Sequence, residues 1–255
     1  MLFAIVKALV KISFTKRVTI KDFKFCCKIW SVQNQFIFLD ASVELVPKAI
    51  ADHPAILADA ARRKKKPREI ILEDSKHHAA MKKLKNKEKR GRPDIIHQCL
   101  LLLLDSPFKY DFDVYIHTIS GNIIWVNNKT RIPRNYNRFL GLLEDLFKKE
   151  IIVSKDGEVL LEKLNLKLSE VIGERTAILL SEKGRKNGDR IKELFREKFS
   201  ICIGAFPHGD FSPEVIKNLK NFEIISLGKN KYTSLYVTSK ILCIYEGVRT
   251  TKNCK

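Results

Sequence analysis

Arg92 and Asp94 sit two residues apart within Lys89–Pro107, KRGRPDIIHQCLLLLLDSP. A carboxylate so placed can accept two N–H bonds from the guanidinium and hold it as a fixed fork, which suits phosphate oxygens or nucleobase edges. Lys89 and Arg90 add charge on one side, Gly91 and Pro93 shape the corner, and an apolar helix from Pro93 to Leu104 ties it to a core. A plainer account fits equally well. Pro93 then occupies the first helical position, and Asp94 is an acidic first-turn residue facing the helix dipole. The stretch alone does not choose between them.

A second cationic group lies in Asn128–Phe139, NKTRIPRNYNRF. If Arg134 and Arg138 open the helix that continues as FLGLLEDLFKK, their i, i+4 spacing puts both on one face, with Arg131 on the incoming loop near the same edge. A lysine run is usually only a wet surface. Arginines interleaved with Asn135 and Tyr136 offer bidentate hydrogen bonds and stacking, the contacts that read RNA. A third group comprises the polar ends of three apolar runs: Leu180-Ser181, Gly204 to Gly209, and Ser226 to Tyr232. In an open α/β sheet ligands sit at the carboxyl ends of strands, so these loops could line one pocket, with Gly204 and Gly209 allowing close backbone approach. Ordinary turns would look the same. There is no Walker motif and no G-x-G-x-x-G.

Other chemistries find less support. The six cysteines, Cys26, Cys27, Cys99, Cys202, Cys243 and Cys254, show no C-x-x-C spacing, and read as reduced core residues of a cytosolic protein instead of a zinc site or disulfide framework. His77 and His78 are adjacent, so a helix splays them apart as metal ligands; solvated or RNA-facing histidines are expected. Lys plus Arg number 48 against 29 Asp plus Glu, a net charge of +19 that exceeds what solubility requires and points to a polyanionic partner, nucleic acid before membrane. The apolar opening MLFAIVKALV is too short to span a bilayer and is interrupted by Lys7.

The elements that must position these groups read as α/β from Gln35 onward, whereas residues 1–34 read as a peripheral extension or as the product of a start codon placed too early. QFIFLD is a buried strand and ASVELVPKAI has helical spacing up to the break near Pro54. Ala60 to Arg68, AARRKKKPR, is a basic linker, either a solvated loop or a phosphate-facing arm. Glu69 to Asp74 is a second strand, and SKHHAAMKKLKNKEKR a basic helix. Asp113–Ile119 and Ile123–Asn127 alternate as a hairpin, followed after the arginine helix by short strands around the turn Lys155-Asp156-Gly157. Arg175–Gly184, Ser200–Ile203 and Phe222–Leu227 are strands, the first two separated by a helix in GDRIKELFREKF, and Tyr232 to Tyr245 is the closing helix.

Five stretches occur together in this order: GRPDIIH (Gly91 to His97), LDSP (Leu104 to Pro107), RIPRNYNRF (Arg131 to Phe139), IGAFPHG (Ile203 to Gly209) and ISLG (Ile225 to Gly228). In this combination the chain resembles the Emg/Nep family, SPOUT-class pseudouridine-N1 methyltransferases of small-subunit ribosomal RNA, over about Gln35 to Glu246. The resemblance implies an α/β fold with a mostly parallel sheet flanked by helices, a small β-rich insertion, and a deep trefoil knot within about 175–246, an exception to unthreaded topology. It implies one methyltransferase domain over 35–255, a homodimer, small-subunit rRNA and ribosomal assembly proteins as partners, and no membrane. A compact domain without an acidic or basic tail is closer to archaeal members, so a cytoplasmic location is expected, nucleolar if the source is eukaryotic.

The cofactor implied is S-adenosylmethionine. Carried over residue by residue, its contacts are Leu180, Ser181, Gly204, Gly209, Ile225, Ser226, Leu227, Gly228, Lys229 and Tyr232, although the last loop holds one residue more than in relatives. RNA contacts are Arg92, Arg131, Arg134, Asn135 and Arg138. Arg92 and Asp94 are the expected catalytic pair: Arg92 stabilises the anionic ring that develops as N1 loses its proton, and Asp94 orients Arg92 or accepts that proton through water. His208 is a weaker candidate base. A rival expectation is a non-enzymatic rRNA-binding assembly factor with a vestigial pocket, and a third is a basic RNA-binding protein without a cofactor.

Overall fold

The computed structural model describes residues 34–219 and 221–253. The expected extension 1–34 lies outside the described residues except for Asn34, which opens the first strand. From Asn34 onward the chain forms one compact unit.

Eight strands make one sheet: β1 (Asn34–Ala41), β2 (Phe112–Thr118), β3 (Ile123–Val126), β4 (Ile151–Val153), β5 (Val159–Leu164), β6 (Thr176–Lys186), β7 (Phe199–Gly204) and β8 (Phe222–Ser226). Their order is β4-β5-β3-β2-β1-β7-β6-β8. From β2 to β8 every neighbour is parallel, whereas β2-β3, β3-β5 and β5-β4 are antiparallel, which is the expected small β-rich part at one edge. All eight residues of β1 are buried, as a central parallel strand covered on both faces must be.

Among the described residues the α-helices are α1 (Pro54–Arg62), α2 (Asp74–Met81), α3 (Pro93–Asp105), α4 (Tyr136–Lys149), α5 (Leu168–Ile172), α6 (Gly188–Leu194), α7 (Pro213–Asn218) and α8 (Ser234–Asn253). The main core packs α3, α4 and α8 against the sheet through Phe36, Leu100, Phe139, Phe199 and Tyr245. A separate apolar cluster, including Val46, Ile56, Ile70, Met81 and Leu84, holds α1 and α2 together.

β8 lies outside β6, yet α8 packs on α3 and β7, so the chain leaving β8 must return across the carboxyl ends of β6 and β7. β6 pairs with Ile225 twice, through Leu180 and again through Arg185, so Ser181–Gly184 bulge out between them. A Cβ on Gly184 would stand 2.6 Å from the carbonyl carbon of Ile225. Only glycine lets this bulge lie so close to β8.

Several local expectations are corrected. Ala41–Ile50 is not a helix. Val46 N donates to Ile70 O and Leu72 N to Glu44 O, so the stretch runs extended beside 70–72, and Lys48–Ile50 form one 3-10 turn behind Pro47. Glu69–Asp74 is correspondingly no strand of the sheet but one bridge, Leu45 to Ile71. The basic run 60–68 is partly the end of α1, and Arg63 and Lys65 turn inward to the buried carboxylate of Glu144, both at 2.6 Å. The basic helix 75–90 stops at Met81. His77 is fully buried, with Nδ1 accepting from Glu73 N, while His78 is exposed. Arg134 precedes α4 instead of opening it, because Asn135 caps the helix, its Oδ1 accepting from Arg138 N at 3.1 Å. Cys99 and Cys202 are buried, as expected of core thiols, but Cys243 is exposed.

Candidate active site

The carboxyl ends of β1, β7, β6 and β8 meet at one edge because Leu39 pairs with Gly204, and Leu180 pairs with both Ile203 and Ile225. The loops leaving them enclose a cavity of about 510 Å³, a volume typical of sites for small ligands. Leu180 and Ser181 line it from β6, Gly204 from the end of β7 and Gly209 from the loop after it, Ile225 and Ser226 from the end of β8, and Leu227 and Tyr232 from the loop that follows. Gly228 and Lys229 stand outside the lining, and Asn230 and Lys231 take their place. The cause is local: Ser226 Oγ donates to Gly228 O and accepts from Gly228 N, which folds the loop back on itself at that point.

Two glycines at the site stand where no side chain fits. A Cβ on Gly204 would lie 3.0 Å from the ring of Phe206 and 3.3 Å from that of Phe211, and one on Gly228 would meet Tyr232 Oη at 2.6 Å. Gly209 has φ +98°, a conformation that favours glycine. Two ion pairs tie the β6 bulge to the loops after β7 and β8, Lys183 with Asp210 and Lys231 with Glu182. The hydrogen bond from Lys183 holds the Asp210 carboxyl below its ordinary value. Leu180, Ile203, Leu227 and Phe206 offer an apolar wall, and Ser181, Ser226 and the loop backbone offer polar groups. An adenosyl group with an amino-acid tail fits this mixture.

The far wall belongs to α3, through Arg92, Ile95 and Gln98. Arg92 Nε donates to Asp94 Oδ1 and Nη2 to Oδ2, both at 2.8 Å. The fork read from the sequence is therefore present, and the Asp94 hydrogen bond raises the guanidinium further above its ordinary value. Nη1 has no partner among the described residues. Lys89 and Arg90, by contrast, are not free cations: Lys89 is buried beside Asp40, and Arg90 makes a two-pronged pair with Glu44 at 2.6 and 2.5 Å.

The second cluster is more open. Arg131, Arg134, Asn135 and Arg138 are exposed. Arg131 and Arg134 line a second cavity of about 340 Å³ with Asp105, Lys109 and Thr130, and Arg134 reaches Asp105 at 3.1 Å. His97 fastens this loop to α3: its Nε2 lies 2.7 Å from Pro133 O and its ring stacks on Phe139 at 4.5 Å. Tyr136, at the start of α4, has its phenol pushed up by burial and also feels the charges of Asp94 and Arg92. Both arginine groups adjoin α3, Arg92 beside Ile95 and Gln98, and Arg131 and Arg134 beside Leu101 and Leu104. Sequence reasoning did not single out Gln98, His97, Phe211 or Asn230, although His97 stands in the GRPDIIH motif.

A mostly parallel sheet with a cavity of small-ligand size at its strand ends, and arginines exposed beside the adjoining helix, defines an α/β protein with a small-ligand site next to a cationic surface. The model of the EMG1/NEP1 methyltransferase family matches residues 36–246, and the chain belongs to that family. It is 54% identical over 219 residues to the ribosomal RNA small subunit methyltransferase Nep1 of Archaeoglobus fulgidus, covering 86% of this chain and 98% of that protein. The protein of the same name from Saccharolobus solfataricus is 49% identical, over 74% of this chain and 87% of that one. The crystal structure of Archaeoglobus fulgidus Nep1 bound to S-adenosylhomocysteine superposes with a TM-score of 0.83 at 53% identity, covering 86% of this chain and all of that one. The fold is thus of the SPOUT class, as the resemblance implied.

Proposed function

We propose that this protein is an S-adenosylmethionine-dependent methyltransferase of small-subunit ribosomal RNA that acts on N1 of a pseudouridine, working as a homodimer. The observation that carries the reading is Arg92, standing on the wall of the strand-end cavity with its guanidinium fixed by Asp94. Names of relatives support the rRNA substrate, and the S-adenosylhomocysteine bound in the Archaeoglobus fulgidus Nep1 structure supports the cofactor. The choice of pseudouridine N1 rests on the motifs of the family resemblance.

Leu180, Ser181, Gly204, Gly209, Ile225, Ser226, Leu227 and Tyr232 would hold the cofactor, with Asn230 and Lys231 on the last loop. Bound S-adenosylmethionine supplies an electrophilic methyl group. The chain's own task is to place N1 of the base, and to favour loss of its proton. Both oxygens of Asp94 are engaged by Arg92, so Asp94 serves as the orienting group and the proton leaves through water. Arg92 keeps Nη1 for the ring oxygen on which negative charge grows. Arg131, Arg134 and Arg138 grip the RNA beside it.

The deciding experiment is methyl incorporation into a small-subunit RNA hairpin carrying either uridine or pseudouridine at the target. Transfer to pseudouridine alone is expected. Transfer to uridine alone overturns the specificity, and transfer to neither, with RNA still bound, points to the assembly-factor reading.

A further inference from the structure

Resting on that reading, we propose that Lys89 is a positioning residue that couples occupation of the strand-end cavity to the placement of Arg92. Its side chain is 9% exposed and that of its partner Asp40 is 3% exposed, so the pair lies in the interior and is not part of the wet cationic surface. A buried lysine is costly to desolvate and persists only where its contacts are specific.

Those contacts belong to the cavity wall. Lys89 Nζ donates to Asp40 Oδ2 at 3.3 Å and lies 4.5 Å from the centre of the Phe206 ring. Its stem packs where a Cβ of Gly209 would stand, 3.1 Å from Cε. Asp40 in turn holds the far end of the same loop, accepting from Ser212 N at 2.6 Å and Ser212 Oγ at 2.9 Å. The near end hangs on β1 through Ala205 N to Leu39 O and Ser42 N to Ala205 O. Asp40 has φ +50°, at the irregularity between Phe38 and Ala41 in the pairing of β1 with β2.

The other side of Lys89 leads to the RNA. Its carbonyl accepts from Ser42 Oγ at 2.5 Å, and Arg92 follows three residues later. One residue therefore has its side chain in the loop over the cavity and its backbone in the segment that carries the fork. A ligand that shifts Phe206–Phe211 must shift the Lys89 ammonium, and with it the turn into Arg92. Coupling of two sites through such a packed connection typically amounts to about 5- to 150-fold in affinity, and is reciprocal.

The test measures binding of a pseudouridine hairpin to the full chain with and without saturating S-adenosylhomocysteine. In the wild type the ligand should tighten hairpin binding by about fivefold or more. Lys89→Met keeps most of the stem and removes the ammonium; Asp40→Asn removes the carboxylate charge, keeps one acceptor for Ser212 N and tolerates the positive φ. In both variants the factor should fall to about one while hairpin affinity without ligand changes little. A variant with the wild-type factor, or a wild type with none, overturns the proposal. Thermal melting guards against misfolding, and if Lys89→Met does not fold, Asp40→Asn decides. If the wild type does not bind S-adenosylhomocysteine at all, the cofactor reading itself fails and the coupling falls with it.

Discussion

Arg92 and Asp94 are joined by two parallel hydrogen bonds of 2.8 Å across the first turn of α3, and only the guanidinium of the two faces the strand-end cavity. This division sets the expected kinetics. Arg92→Lys keeps the charge but loses the fork, and single-turnover methylation should fall by about 10²-fold or more, the usual cost of a lost transition-state donor. Asp94→Asn leaves the guanidinium free to rotate and should cost less. RNA affinity, measured in parallel, should change by a smaller factor than the rate. Equal losses in rate and affinity would assign Arg92 to RNA binding alone.

Arg131, Arg134 and Arg138 are exposed, and among the described residues Arg134 alone of the three has a carboxylate partner, Asp105 at 3.1 Å with both groups largely in solvent. Exposed pairs of this kind contribute little, so each cation is available to a phosphate. Alanine at any one should weaken hairpin binding and lower the slope of log affinity against log salt by about one. Asp105→Asn should strengthen binding slightly by releasing Arg134. An unchanged salt slope in the Arg131 and Arg138 variants would remove those residues from the RNA surface.

These two groups were legible in the sequence because their chemistry is local. Asp94 is two residues from Arg92, and the RIPRNYNRF motif is continuous. The strand-end loops were legible for a related reason: buried parallel strands read as apolar runs, and their polar ends mark the cavity edge. What could not be read is which charges pair across distance. Lys89 and Arg90 look like more of the fork, yet Asp40 and Glu44, close to fifty residues earlier, bind them. Ala41–Ile50 has helical spacing, but hydrogen bonds to 70–72 outweigh that propensity. His77 looks solvated within a lysine-rich run, and tertiary packing of α1 on α2 buries it.

Gly184 carries a prediction about the fold. Its Cβ position lies 2.6 to 2.7 Å from backbone atoms of Ile224 and Ile225, which cannot move aside as a flexible side chain could. Gly184→Ala should destabilise the protein by about 1–3 kcal/mol, the range for an overpacked interior, and weaken S-adenosylhomocysteine binding by displacing Ser181. Gly188→Ala, where a Cβ meets nothing within 4 Å, is the control and should melt close to wild type. Chemical denaturation of both variants checks the contrast.

His77 makes the stability depend on pH in a definite direction. Burial lowers its pKa below the ordinary 6.5, against the opposing pull of Asp59, whose Oδ2 lies 3.5 Å from Nε2. The ring is therefore neutral in the fold, with Nδ1 accepting from Glu73 N. An unfolded chain takes up the proton first as pH falls through 6.5, so the contribution of His77 is complete above that value and is lost progressively below it. His77→Gln removes the titration while keeping an acceptor. The melting temperature of the wild type relative to this variant should be higher at pH 8 than at pH 5; a gap that widens toward acid would mean that His77 is charged in the fold and paired with Asp59.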